Sequence, residues 1–204
     1  MKAGASELTL SGANTFSGTT SVDGGTLTLS GGNALTNSMA VTVNANGLLQ
    51  LASSEEIATL AGAGAVNLQG NTLTVSGGAN TTFGGVLSGT GGALVKNGSG
   101  VFTLGGTNSF DGGVTLNAGA IQVANAAALG TGTLTFTGGR LSSDSATARS
   151  LTNLLTLGGT LAFGDATNSG ALTLSGNATL TGATTLTVAS AATLSGIVSG
   201  AFDL

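Results

Sequence analysis

Two stretches of eleven residues in the chain are near-repeats of one another. Leu8-Thr-Leu-Ser-Gly-Ala-Asn-Thr-Phe-Ser-Gly18 returns as Phe102-Thr-Leu-Gly-Gly-Thr-Asn-Ser-Phe-Asp-Gly112, displaced by 94 residues (108 − 14, from Asn14 to Asn108). Recurrence on this scale marks a repeat architecture, in which each unit buries its apolar face against a neighbour. A second pair, Gly85-Val-Leu-Ser-Gly89 and Gly196-Ile-Val-Ser-Gly200, recurs at 111 (196 − 85). The unequal spacings predict insertions in turns, with the strands kept in register.

Short alternating segments fill the space between these phrases. Thr26-Leu-Thr-Leu29, Ala40-Val-Thr-Val43, Thr72-Leu-Thr-Val75, Thr133-Leu-Thr-Phe136 and Ala171-Leu-Thr-Leu174 are typical. A period of two is the signal of a half-buried strand. It points Leu27, Leu29, Val41, Val43, Leu73, Val75, Leu134, Phe136, Leu172 and Leu174 inward, and the intervening threonines to solvent. Gly and Asn punctuate the strands, as in Ser30-Gly-Gly-Asn33, Asn46-Gly47, Ser76-Gly-Gly78, Asn97-Gly98 and Gly138-Gly139. Both residue types tolerate the positive φ of sharp turns. Asn-Gly pairs suit hairpins, but near-identical segments favour parallel stacking of coil on coil. Ser54–Leu60 and Asn125–Leu129 are the best helix candidates; both fall short of the roughly 12 residues a marginal helix needs. They read as strands or single turns. The resulting expectation is an all-β, right-handed parallel β-helix (a β-solenoid). With about 30 residues to a coil it has about seven coils. The repeat units fall at approximately 4–97 and 98–204.

Composition narrows function by exclusion. Only 6% of the 204 residues are charged, yet 41% are hydrophobic, so an aliphatic core is affordable and disorder is disfavoured. Lys2, Lys96, Arg140 and Arg149 are the whole basic complement against a net charge of −4, too few for a phosphate-neutralising stripe. No apolar run reaches the roughly 18 residues of a membrane-spanning helix. Met1-Lys2 leads directly into polar repeat, without the pattern of a signal peptide. Lack of cysteine fits an exported chain that crosses a membrane unfolded, and fits a cytosolic one equally.

Catalytic constellations are hard to assemble from this alphabet. Without His or Cys there is no Ser-His or Cys-His pair and no ordinary zinc site. Lys96 and Ser99 could form a Ser-Lys pair, against the plainer reading of a turn with a solvated lysine. Glu55 and Glu56, adjacent on a strand, face opposite ways, so they do not converge as a glycosidase requires. Asp23 reads as a solvated turn residue. Asp111 and Asp165 flank glycines but lie outside any calcium-repeat pattern. No phosphate loop is complete. The catalytic, cofactor-binding and metal expectations are therefore all none. Asn14 and Asn108 are expected to bond backbone in Asx-type turns and to stack as ladders, with ligand contact as the alternative. Phe16 and Phe110 are expected as core plugs at corners, with sugar stacking as the alternative. Asn80-Thr-Thr, Asn97-Gly-Ser and Asn177-Ala-Thr match the glycosylation sequon, as chance allows in this composition.

The second copy carries the fuller pattern: Leu104-Gly-Gly-Thr-Asn-Ser-Phe-Asp-Gly112, Gly119-Ala-Ile-Gln-Val123 and Ala128-Leu-Gly-Thr-Gly132. It resembles the passenger-associated transport repeat, or autotransporter-associated β-strand repeat, of bacterial autotransporter passengers. The stretch Gly85–Gly100 resembles the strand that links repeats. Recognisable motifs cover about half of the chain. The first copy departs where Thr36-Asn37-Ser38 replaces Gly-x-Gly, and Val114 stands where the family usually has Thr; both changes are expected at turns or surface.

The resemblance implies a secreted β-helix, an extracellular rod or adhesin stalk. Its partners would be a C-terminal outer-membrane β-barrel in the full-length protein and a host-surface or matrix ligand. This chain would then be a passenger fragment, and end-to-end self-association is expected because neither end reads as a polar cap. Other classes stay open: a Thr-rich ice- or surface-binding solenoid (Thr26/Thr28, Thr72/Thr74, Thr133/Thr135, Thr185/Thr187), a self-assembling filament, and a carbohydrate-active β-helix enzyme.

Overall fold

The computed structural model describes residues 1–37 and 39–204. Among them there is no helix; every element is a strand, and every strand pairing is parallel. Up to Val123 the chain turns at its corners after strands of three to five residues, three to a full coil; beyond it, strands of nine to eleven residues each span two walls. The chain is a parallel β-solenoid.

Three walls result. The first holds Thr20–Val22, Ala40–Val43, Thr59–Gly62, Thr81–Phe83, Val101–Leu104 and Ala120–Val123. The second holds Glu55–Ile57, Thr72–Val75, Ala93–Lys96 and Val114–Leu116. From Leu134–Ser143 onward the two walls fuse. That strand pairs through its first half with Val114–Leu116 and through its second with Ala120–Val123. Leu155–Phe163 and Ala178–Val188 continue both walls, each pairing broken by a register shift. The third wall has Glu7–Leu10, Gly25–Leu29, Gly47–Leu51, Ala65–Asn67 and Val86–Ser88 in one sheet. Arg149–Leu151, Leu172–Leu174 and Ala192–Leu194 form a separate sheet at the same place in the coil order.

The register sets the coil length and corrects the expected count. Phe102, Ile121, Leu141 and Phe163 are successive partners at intervals of 19 (121 − 102), 20 (141 − 121) and 22 (163 − 141) residues, and over the whole solenoid a coil takes between 17 (65 − 48) and 25 (188 − 163). The solenoid has about nine turns rather than seven. The corners are short: Asp23-Gly24 alone joins two strands, and four residues, 97–100, join another pair. The two eleven-residue phrases do not stack on one another. Leu8 begins the first copy on the third wall and Phe102 begins the second on the first wall, because 94 residues is not a whole number of coils.

All ten residues expected to face inward are buried, within one aliphatic cluster that runs the length of the molecule. Phe136 and Phe163 meet edge-on inside it, ring centroids 5.5 Å apart. Thr42, Thr74, Thr135 and Thr173 are half-buried on the outside, as expected. Thr28 is a correction: it is buried, because the Glu7 carboxylate of the coil before it accepts its hydroxyl at 2.6 Å. Val114 is a second correction, an inward core residue and not a surface one. Asn37 is an exposed turn residue, whereas Ser38 lies outside the described residues.

Removing an inward side chain should leave a cavity that the stacked coils cannot close. Leu134→Ala and Leu172→Ala are each expected to cost about 2–5 kcal/mol in urea denaturation. Thr135→Ala, on the outside, should change stability within about 0.5 kcal/mol.

Candidate functional site

Parallel coils can pair strand backbones, but corners and gaps in a wall leave amides and carbonyls that need other partners. Asparagine supplies them, since its side chain carries both donor and acceptor. Asn108 lies where the third wall is interrupted between Val86–Ser88 and Arg149–Leu151. Its Oδ1 accepts from the Leu87 amide at 2.8 Å and its Nδ2 donates to the Ala128 carbonyl at 2.6 Å. One buried side chain thus ties three successive coils in place of a strand. Asn153 donates to the Gly130 and Gly132 carbonyls, and Asn125 to those of Gly105 and Gly106.

Asn14 donates to its own Gly12 carbonyl and to Ala34 of the next coil. Both named asparagines bond backbone, as expected, but across coils as well as within a turn, and they lie in different parts of the coil. Phe110 is a buried plug beside Gly130; Phe16, at the terminal coil, is 45% exposed and is not one.

The corner between the second and first walls carries a ladder of its own. Asn117 donates to Asn97 Oδ1 at 2.7 Å, and Thr137 donates to Asn117 Oδ1 at 2.6 Å. Beneath it, Gly98 and Gly119 stack so closely that a Cβ at either would overlap the carbonyl oxygen of the preceding coil; Gly119 also has a φ of +70°. The sequon asparagines do structural work. Asn80 Oδ1 accepts from the Val101 amide, Asn97 accepts from Asn117, and Asn177 Oδ1 accepts from the Ile197 amide.

The charged residues are dispersed. Lys96 departs furthest from expectation: it is buried at 1% exposure, not solvated. It occupies an inward position of Ala93–Lys96, its stem between Val75 and Leu116 by register, and its Nζ donates to the Gly98 carbonyl at the glycine corner. Burial depresses its pKa below the ordinary 10.5. Ser99 is exposed, and no hydrogen bond joins it to Lys96 among the described residues.

Glu55 and Glu56 do point opposite ways. Glu55 is buried and accepts from the Ala34 and Leu35 amides at 3.1 and 2.7 Å, while Glu56 is half-exposed. Burial raises the Glu55 pKa, and the two amide donors partly offset this. Asp23 accepts from Ser21 and from Asn44 of the next coil, which lowers its pKa. Asp111 accepts from the Gly91 amide. Asp165 receives the Asn168 and Thr167 amides and pairs with Arg140 at 2.6 Å; the amides foremost, then the guanidinium, lower its pKa. Arg149 pairs with Asp144 at 2.7 Å.

The threonine pairs do not make one flat array. Thr26 and Thr28 lie on the third wall, Thr72, Thr74 and Thr135 on the second, and Thr185 and Thr187 on the first. The outer face of the first wall does carry a polar groove of about 300 Å³. It is lined by Asn80, Thr81, Thr82, Val101, Thr103, Gln122 and Asn168. Sequence reasoning missed it, because its residues come from three coils and one distant loop.

Three segments, 2–29, 94–123 and 165–195, match the family model described as the passenger-associated-transport-repeat. The chain carries three passenger-associated transport repeats. The third was not singled out above: Leu172-Thr-Leu-Ser-Gly176 repeats the opening of the first copy, but Ala178 and Leu180 stand where Asn14 and Phe16 would align. The fold explains how the repeats coexist with a coil of about 20 residues: the repeat fixes strand and corner chemistry, not a stacking period. No curated protein and no solved structure matches the chain.

Asn108→Ala strips a buried amide and a buried carbonyl of their partner. It should cost about 1–3 kcal/mol for each group left unpaired, read as a fall in the urea midpoint. Lys96→Met keeps the stem and deletes the buried charge; it should raise stability by on the order of 1 kcal/mol at neutral pH. The native lysine binds its proton less tightly folded than unfolded. Wild-type stability should therefore rise as pH increases through the depressed folded value toward 10.5. The Lys96→Met variant should lack that rise, as thermal melts at neutral and alkaline pH would reveal.

Proposed function

We propose that the chain is a non-enzymatic structural section of a bacterial autotransporter passenger. In this reading it forms part of an extracellular rod or adhesin stalk, exported across the outer membrane to the cell surface. The observation that carries the reading is the unbroken parallel ladder of the first wall. It runs from Thr20–Val22 to the second half of Ala178–Val188, over an aliphatic core that needs no disulfide. At strand spacing the nine turns span about 40 Å. Each coil touches only its neighbours, so folding can propagate along the axis from a first-formed end. That suits a chain threaded unfolded through a pore, and freedom from cysteine removes one obstacle to threading.

The side chains with reactive chemistry favour a structural role. Lys96, Glu55, Asp23, Asp111 and Asp165 each bond backbone or a neighbouring coil, and they are spread along the axis. In the full-length protein the companion would be a C-terminal outer-membrane β-barrel, and the walls would meet a host-surface or matrix ligand.

The direct test joins the chain to an outer-membrane translocator barrel in a Gram-negative host and treats intact cells with protease. Exposure at the surface as a compact, slowly digested fragment is expected. Retention in the periplasm, or rapid loss of the whole chain as an unfolded segment, would contradict the proposal. Self-association is a separate expectation. Leu8 and Phe16 at one terminal coil and Ile197, Val198 and Phe202 at the other are all exposed, beside unpaired strand edges that favour open, head-to-tail stacking. Sedimentation equilibrium should show a mass that grows with concentration, and Phe16→Ser with Ile197→Ser should suppress the growth. A strictly monomeric chain would exclude this association.

A further inference from the structure

We infer that the groove on the outer face of the first wall binds a neutral, polyhydroxylated ligand, the chemistry of an uncharged glycan chain. The groove is built by register. Thr82 pairs with Thr103 and Thr103 with Gln122, so three coils place three polar side chains in one outward column. Asn80 enters from the turn before Thr81–Phe83, and Asn168 from the loop that follows Phe163. That loop is held against the wall: the Gly164 amide donates to the Leu141 carbonyl, and Asp165 grips both Arg140 and the Thr167 and Asn168 amides.

The unspent hydrogen-bonding capacity points to the ligand. Asn80 uses its Oδ1 on the Val101 amide and Gln122 uses its Oε1 on the Thr103 hydroxyl, at 2.8 and 3.1 Å. Their amide NH2 groups, and the whole side-chain amide of Asn168, have no partner among the described residues. Amide donors beside hydroxyls, those of Asn80 and Gln122 oriented by the bonds to their oxygens, suit ligands whose every face offers hydroxyl groups, which both donate and accept.

Charge and backbone exclude the competitors. No charged side chain lines the groove, and the nearby Arg140 is paired with Asp165, so an anion finds no counter-charge. Val101 is the only apolar lining residue, too little for a lipid or an apolar helix. A peptide strand would need free backbone groups, but those of the three strands are spent on the ladder. The volume of about 300 Å³ sits at the small end of ligand sites and suits a short stretch of sugar with the rest of the chain running along the wall.

The test applies the 204-residue chain to an array of neutral and acidic oligosaccharides, then titrates the best neutral probe by amide NMR. Retention confined to neutral oligosaccharides is expected, with shifts at the side-chain amides of Asn80, Gln122 and Asn168. Gln122→Ala and Asn168→Ala, on different elements, should each weaken binding about tenfold with the melting temperature nearly unchanged. No retention of any neutral oligosaccharide, a preference for acidic ones, or binding indifferent to both substitutions would overturn the proposal. The surface-exposure test above reads export and not this groove, so either reading can fail while the other stands.

Discussion

Each coil leaves its strand amides and carbonyls pointing along the solenoid axis, and only an adjacent coil can pair them. The inward aliphatic stack depends on this parallel ladder, because the ladder fixes the register that superposes Phe102, Ile121, Leu141 and Phe163. A slip of one residue would turn every such side chain out of the core. Burial in turn supplies most of the driving force that holds the coils together. Ladder and core therefore specify one another, rung by rung.

Corners are where this agreement is hardest to maintain. A three-walled coil of about 20 residues has room for only short turns, and the preceding coil passes directly beneath each one. Glycine meets the steric demand at Gly98 and Gly119, and asparagine meets the hydrogen-bonding demand at Asn97 and Asn117. Asn108 does the same inside a wall, standing in for a missing strand. The high glycine count and low charge of the chain follow from these local needs. Lys96 fits the same logic: the glycine corner leaves no side chain in its way and presents a carbonyl to its ammonium.

Much of this was legible in the sequence because strand periodicity is a local property. Alternation alone placed Leu27, Val41, Leu73, Leu134 and Leu172 inside, and the recurring phrases gave parallel stacking and the repeat family. Coil length was not legible, since it depends on how tightly corners close, and the expected 30 or so residues to a coil overstated it. Burial of Lys96 was hidden by the neighbouring Asn97-Gly98, which reads as an exposed turn, although its alternation with Leu94 was a usable signal. Thr28 was misread because its cover, Glu7, comes from another coil. The groove was invisible for the same reason: Asn80, Gln122 and Asn168 are neighbours only once the register is known.

The central claim is that parallel, in-register stacking of short coils organises the molecule, and cross-strand nuclear Overhauser contacts test it most directly. Contacts between the backbone protons of Phe102 and Ile121, Ile121 and Leu141, and Leu141 and Phe163 are expected, in the amide-to-α pattern of parallel strands. Close α-to-α contacts between sequential strands, such as Ala93–Lys96 with Val101–Leu104, would mean antiparallel hairpins and would contradict the account.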